Sequence, residues 1–167
     1  MVEKDTIIKE KVKYAGLGNF KDAYKYAYEW LKDRSFSVIE ESYSEKISGN
    51  SKDIEVSWAA NKKITDYFKI TLGLKWRVMG MTDVEVEIDG KKKNMNKFAE
   101  LTIELKGVLE KDYNSKWENT PINRFLRDTY HKFVIPARTE QKEGEVMAVV
   151  QDFKEEMKAF FDLSARR

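Results

Sequence analysis

Hydrophobicity alternates with a period of two residues from Phe36 to about Tyr113, which is nearly half of this 167-residue chain. This period places apolar side chains on one face of a β-strand and polar side chains on the other. Because lysine, glutamate or threonine occupies one face of the predicted strands, only the opposite face can be covered by the rest of the chain. The strongest strand carries its inward residues at Phe68, Ile70, Leu72, Leu74, Trp76 and Val78, with Lys69, Thr71, Lys75 and Arg77 pointing outward.

Turn-forming residues divide the alternating region into strands joined by short connections. Gly49-Asn50-Ser51 separates a weak strand, Ser37 to Ile47, from a clearer one that follows it. Asp89-Gly90 favours a two-residue type I′ hairpin, which sets Glu87 opposite Lys92 and Ile88 opposite Lys91. Short connections predict an antiparallel meander. The other inward residues are Ile54, Val56, Trp58 and Ala60 in one strand and Ala99, Leu101, Ile103, Leu105 and Leu109 in the last, where Gly107 indicates a bend or bulge.

Three segments have the spacing of amphipathic helices. The first follows a strand that contains Ile8, Val12 and Tyr14, and Asn19 is its N-cap. The second is predicted over Ile122 to Val134, begins at Thr120-Pro121 and ends at Pro136. The apolar stripe of the first is Phe20, Ala23, Tyr24, Ala27, Trp30 and Leu31, and that of the third, C-terminal one is Val146, Val149, Val150, Phe153, Met157, Phe160 and Phe161.

These elements predict a single domain over residues 1–167 of the α+β class, with a curved antiparallel β-meander and three amphipathic helices on one face. The order of strand, helix, meander and long terminal helix resembles the helix-grip architecture of the START and Bet v1-like superfamily. One helix instead of two follows the first strand, and the helix Ile122 to Val134 is additional. The sequence also looks like uncharacterised archaeal proteins, a likeness that implies no activity.

Composition excludes several classes of function. The chain has no cysteine, which excludes disulfides, thiol catalysis and thiolate metal sites, and a single histidine, His131, expected to be exposed. The balance of 31 basic and 29 acidic residues lacks the positive field of a dedicated nucleic-acid binder. No run approaches the roughly 20 apolar residues of a membrane span, and no signal peptide is apparent. We expect a cytoplasmic protein with no cofactor, metal or catalytic group.

Three charged or glycine-containing motifs have structural explanations. Asp83, Glu85, Glu87 and Asp89 are a hard-cation site, an acid/base pair or a cross-strand charge ladder, and their spacing along one strand favours the ladder. The run Lys91 to Lys93 fits a solvated hairpin tip better than a phosphate-binding surface. Gly16-Leu17-Gly18 lacks the remaining residues of a phosphate-binding loop, and we interpret it as a turn before a helix.

Two functions remain open from the sequence. The first is non-enzymatic binding of an apolar small molecule or lipid in a pocket between the sheet and the C-terminal helix, as the helix-grip resemblance implies. The second is a protein–protein interaction or self-association module without a ligand, which includes a homo-oligomer. Large inward residues can surround a ligand or fill the space. The candidate ligand-binding residues are Trp58, Phe68, Trp76, Phe153, Met157 and Phe160.

Overall fold

The protein is an α+β structure in which one antiparallel sheet carries helices on one face. This computed structural model describes residues 3–111, 125 and 135–165. Within them the sheet has five strands in the order β1-β5-β4-β3-β2, and every neighbouring pair is antiparallel. The elements are β1 Glu3–Gly18, α1 Phe20–Asp33, β2 Ser37–Ser48, β3 Ser51–Lys63, β4 Phe68–Ile88, β5 Lys91–Lys111 and α2 Ile135–Ala165.

The two faces of the sheet differ as the alternation predicts. In the first half of β4 the even-numbered residues from Phe68 to Val78 are all buried. On the outer face Lys75 is half-buried and Arg77 is exposed, and the guanidinium of Arg77 lies 3.3 Å from the Glu55 carboxylate. The prediction of one helix-covered and one open face is therefore confirmed for this strand.

The β4–β5 hairpin has the predicted turn. Asp89 and Gly90 have φ angles of 51° and 78°, and the register sets Glu87 opposite Lys92. β4 is longer than the sequence indicates, because Gly80 adopts a φ of 59° and lets the strand continue to Ile88. The expectation that Ala99 points inward is wrong. Ala99 is exposed and Phe98 is buried where a register shift interrupts the β1–β5 ladder.

The first helix begins where the sequence predicts. Asn19 caps it, since its side-chain oxygen accepts a hydrogen bond of 3.0 Å from the backbone N–H of Asp22. The helix ends at Asp33. Ala23, Ala27 and the larger side chains of Trp30 and Leu31 form its buried stripe, which packs against the inner face of the sheet.

The second described helix, α2, packs on β1 and β5. Pro136 was expected to end a preceding helix, and this is wrong: Pro136 is the second residue of α2. Proline is tolerated there because backbone N–H groups of the first turn have no intrahelical partner. The predicted helix Ile122 to Val134, including His131, lies outside the described residues apart from Phe125, which is helical and exposed. Neither described helix is long and apolar enough to cross a membrane.

Candidate functional site

Four aromatic rings meet on the inner face where α1 crosses β3 and β4. Trp58 and Trp76 come from neighbouring strands, with ring centroids 5.5 Å apart. Tyr24 packs edge-on against Trp58 at 4.6 Å, and Phe20 packs edge-on against Trp76 at 5.9 Å. Edge-on contacts of this kind are favourable beyond the area that they bury. We call Phe20, Tyr24, Trp58 and Trp76 the aromatic cluster.

A hydrogen-bonded chain runs from the aromatic cluster to the surface. The indole N–H of Trp58 donates to Tyr24 Oη at 2.8 Å, and Tyr24 in turn donates to the Glu40 carboxylate at 2.6 Å. Burial, followed by the hydrogen bond to Glu40, raises the pKa of Tyr24 well above its ordinary value. Tyr24 therefore stays protonated at neutral pH and acts as a fixed link between Trp58 and Glu40.

The other tryptophan of the aromatic cluster has no such partner. Trp76 is completely buried, and its Nε1 makes no hydrogen bond with the described residues. Trp30 also has an unpartnered Nε1, but the Arg34 guanidinium lies 3.5 Å from the centre of its ring, and Phe153 packs against it. A buried donor without an acceptor is costly. Trp76 thus presents a polar atom that a ligand could satisfy.

The six sequence-predicted ligand-binding residues do not form one wall. Phe160 is half-buried and the other five are buried. Trp58 and Trp76 are brought together, whereas Phe153 contacts Trp30 and Phe160 stacks on Tyr26 of α1 at 5.0 Å. Sequence reasoning placed Phe20 and Tyr24 on the apolar stripe of α1 but did not assign them to the site, and that stripe is the signal that could have found them. The remaining predicted residues are Phe68, which contacts Tyr67, and Met157, which is buried in α2.

Two exposed tyrosines lie at the edge of the aromatic cluster. The Tyr28 ring is 6.2 Å from Trp58, and 38% of its surface is exposed. Tyr43 of β2 lies opposite inward-facing Val56 and is 50% exposed. Apolar surface at this edge is therefore accessible from solvent, next to the Tyr24–Glu40 hydrogen bond.

The acidic strand of the hairpin has the features of a charge ladder. Lys92 lies 3.9 Å from Glu85, and the amide of Asn96 donates to Asp83 at 2.8 Å. Within residues 3–111, 125 and 135–165, no group of three or more histidine, cysteine, aspartate or glutamate side chains is placed to hold a metal ion. Asp83 and Glu85 have their own partners, which favours the ladder over a cation site.

No protein-family model, curated protein or solved structure matches this chain.

Proposed function

We propose that the protein binds an apolar small molecule or lipid, without catalysis, on the inner face between the sheet and the helices. The unpartnered indole N–H of Trp76 carries this proposal. A buried donor that lacks an acceptor costs about 1–3 kcal/mol, and a ligand carbonyl or carboxylate oxygen would recover part of that cost. The ligand is accordingly a mainly apolar molecule with one hydrogen-bond acceptor.

The surroundings of Trp76 support the apolar part of this ligand. Phe20 and Tyr24 flank its ring, and both are only half-buried, so the aromatic cluster reaches the surface along α1. Exposed Tyr28 and Tyr43 extend the aromatic surface outward. Entry requires these rings to move apart, because they are in contact in the structure.

The chemistry of the site supports binding rather than catalysis. Tyr24 is the titratable group closest to the two tryptophans, and both its donor and its acceptor functions are occupied by Glu40 and Trp58. The pKa of Tyr24 is raised, so its hydroxyl stays protonated at neutral pH. A general base or nucleophile must be directed at a substrate, and this hydroxyl is instead directed at Glu40 and Trp58.

Replacing Trp76 by phenylalanine tests the proposal. With decanoic acid as the probe, we expect the variant to bind about tenfold more weakly, since one hydrogen bond to a charged acceptor is lost. Intrinsic fluorescence measures the affinity. In the wild-type protein, the Trp76 indole N–H resonance should move downfield when decanoic acid is added.

Trp58→Phe is the matched control, because it removes the same ring volume but an N–H that is already bonded to Tyr24. It should lose less affinity than Trp76→Phe. Equal losses in the two variants, or a Trp76 indole resonance that decanoic acid leaves in place, would contradict the proposal.

The open edge of β2 favours a second candidate, a self-association module. β2 pairs only with β3, so its other edge carries unpaired backbone groups within the described sheet. Three large apolar residues on this strand are half or more exposed, namely Ile39, Tyr43 and Ile47. Long, exposed and apolar edge strands are prone to pair with another chain.

Ile47→Lys tests the self-association candidate. If β2 pairs between copies, the wild-type protein should show a concentration-dependent increase in sedimentation coefficient, and a buried lysine should abolish it. Lys46→Ala is the comparison variant for Ile47→Lys, because it changes the same strand but removes a positive charge instead of adding one. A wild-type protein that stays monomeric at hundreds of micromolar would exclude this candidate.

A further inference from the structure

A groove of about 720 Å³ crosses the outer face of the sheet, on the side opposite the aromatic cluster. We call it the open-face groove. Its volume lies within the range of small-molecule sites, roughly 300–1,000 Å³. Four lysines from three strands line it: Lys9 and Lys11 of β1, Lys75 of β4 and Lys106 of β5.

A glycine leaves the floor of the open-face groove bare. Gly73 lies directly between Ala59 and Lys106 in neighbouring strands. A Cβ atom built on Gly73 would have only the Cβ of Lys106 within 4 Å, at 3.8 Å, so the space above it is free. Backbone conformation does not require the glycine, since its φ lies outside the left-handed region. The absence of a side chain here opens the groove.

Three of the four lysines in the open-face groove form no ion pair with the described residues, although Lys75 lies directly opposite Glu104 in the β4–β5 register. Lys9 and Lys106 are directly opposite each other in the β1–β5 register, an arrangement of like charges that destabilises a sheet. Lys9, Lys75 and Lys106 form no ion pair in the described part of the chain. Lys11 lies 3.7 Å from Glu104. The Glu10 carboxylate is 2.9 Å from the ammonium of Lys154, on the helix-covered side.

Several cations of the outer face outside the groove have acidic partners. The Glu110 carboxylate receives both Lys4 and Lys69, at 3.4 and 3.6 Å, and Arg77 pairs with Glu55. The four lysines of the groove outnumber its two remaining carboxylates, Glu41 and Glu104, which leaves a net charge of +2. An excess of positive charge therefore coincides with a hollow in the surface, which is the combination that an anionic ligand requires.

We propose that the open-face groove binds a small phosphate ester, with the phosphate between Lys9 and Lys106. An ammonium pair from adjacent strands can donate several charge-assisted hydrogen bonds to one phosphate. Three strand spacings, about 14 Å, separate Lys11 from Ser57, which leaves room for an organic body beside the phosphate. This proposal does not rest on the apolar site of the inner face, although Trp58 belongs to the aromatic cluster and also lines the groove.

The far end of the groove favours a hydroxyl-bearing organic body. Glu41 lies at the register shift of the β2–β3 pair and lines the groove together with Ser57. A carboxylate accepts hydrogen bonds from hydroxyl groups and repels a second phosphate, while the serine hydroxyl can donate or accept. The ligand class is therefore a phosphorylated sugar or a similar phosphorylated polyol.

Ribose 5-phosphate and ribose are the probes for this proposal. We expect ribose 5-phosphate to cause saturable shifts in the backbone amide spectrum around Gly73 and Lys106, and ribose alone to cause none. Lys106→Gln should weaken binding about tenfold, the loss expected for one charged hydrogen-bond donor. Gly73→Val should abolish binding although no charge changes, because its methyl groups occupy the floor.

Two controls separate a shaped site from general attraction. Lys92→Gln removes the same charge at the exposed hairpin tip and should leave the affinity for ribose 5-phosphate unchanged. Gly73→Val should keep the wild-type melting temperature, since valine is favoured in strands and its Cβ meets no close atom. Equal losses in Lys92→Gln and Lys106→Gln, or unimpaired binding by Gly73→Val, would overturn the proposal.

A vesicle-binding experiment distinguishes a soluble ligand from a lipid headgroup. Vesicles of phosphatidylcholine containing phosphatidic acid carry the same phosphate chemistry at a membrane surface. We expect the wild-type protein to bind ribose 5-phosphate. In a flotation assay, the protein should not rise with these vesicles. Binding to the vesicles without saturable shifts from ribose 5-phosphate would overturn the proposal.

Discussion

Replacing Gly107 by alanine is expected to lower the free energy of unfolding by about 3 kcal/mol, the upper end of the usual cost of overpacking. A Cβ atom at this position would lie 2.6 Å from Cγ1 of Val146 and 3.0 Å from side-chain atoms of Ile8 and Val150. All three neighbours are β-branched and have few alternative rotamers. The added methyl group must therefore push α2 away from β5, which urea denaturation would report as a lower midpoint.

Gly73→Ala is the control for Gly107→Ala, because both glycines are in strands and only one is crowded. The nearest atom to a Cβ at Gly73 is 3.8 Å away, an ordinary contact. The urea midpoint of Gly73→Ala should equal or exceed that of wild type, since a glycine in the interior of a strand weakens the strand. In the Gly107→Ala background, Val146→Ala should recover part of the loss. Equal midpoints for the two glycine variants would show that α2 does not approach the sheet at Gly107.

Gly107 illustrates how far the sequence could predict this fold. The alternation around it correctly predicts a strand, and its lack of a side chain suggests a bend or bulge. A register shift does lie opposite it, between Thr6 and Ile8 of β1. The stronger requirement for glycine comes from the close approach of Val146 and Val150 in α2. That contact joins segments distant in sequence, and no local pattern encodes it.

Features determined by neighbouring residues were predicted well. The Asp89-Gly90 turn depends on two residues that tolerate positive φ, and the Asn19 cap depends on one side chain and a nearby N–H. Pro136 is the exception, because proline can either follow one helix or begin another, and a local reading could not choose between them.

The candidate sites were predicted only in part, because each depends on strand order. Periodicity identified Trp58 and Trp76 as inward residues of neighbouring strands. It could not show that Tyr24 accepts a hydrogen bond from the indole N–H of Trp58, whereas the indole N–H of Trp76 has no acceptor among the described residues. The open-face groove needs β1 beside β5, which brings Lys9 opposite Lys106. The alternation identifies a lysine as outward-facing. It does not distinguish a lysine in a binding groove from other solvent-exposed lysines, because that depends on the cross-strand neighbours.

Phe153→Ala is expected to cost about 3–5 kcal/mol, the range for removing a fully buried phenylalanine. Phe153 is 1% exposed, and its ring packs edge-on against Trp30 at 5.5 Å, so it joins α2 to α1 over the sheet. Denaturant unfolding measures the loss, and Phe153→Leu, at a smaller cost, keeps the measurement possible if the alanine variant does not fold. Met147→Ala is the control on the same helix, because Met147 is 42% exposed.

The size of that cost also bears on the ligand proposal. A phenylalanine in a filled core loses all its contacts on truncation, whereas one that lines an empty space has fewer contacts to lose. A loss near 5 kcal/mol would mean that Phe153 is a packing residue and that an inner-face ligand lies nearer to Trp76. A loss close to that of Met147→Ala would contradict the burial of Phe153 between the two helices. Decanoic acid that restores the stability of Phe153→Ala would place the ligand against α2, where the sequence first predicted it.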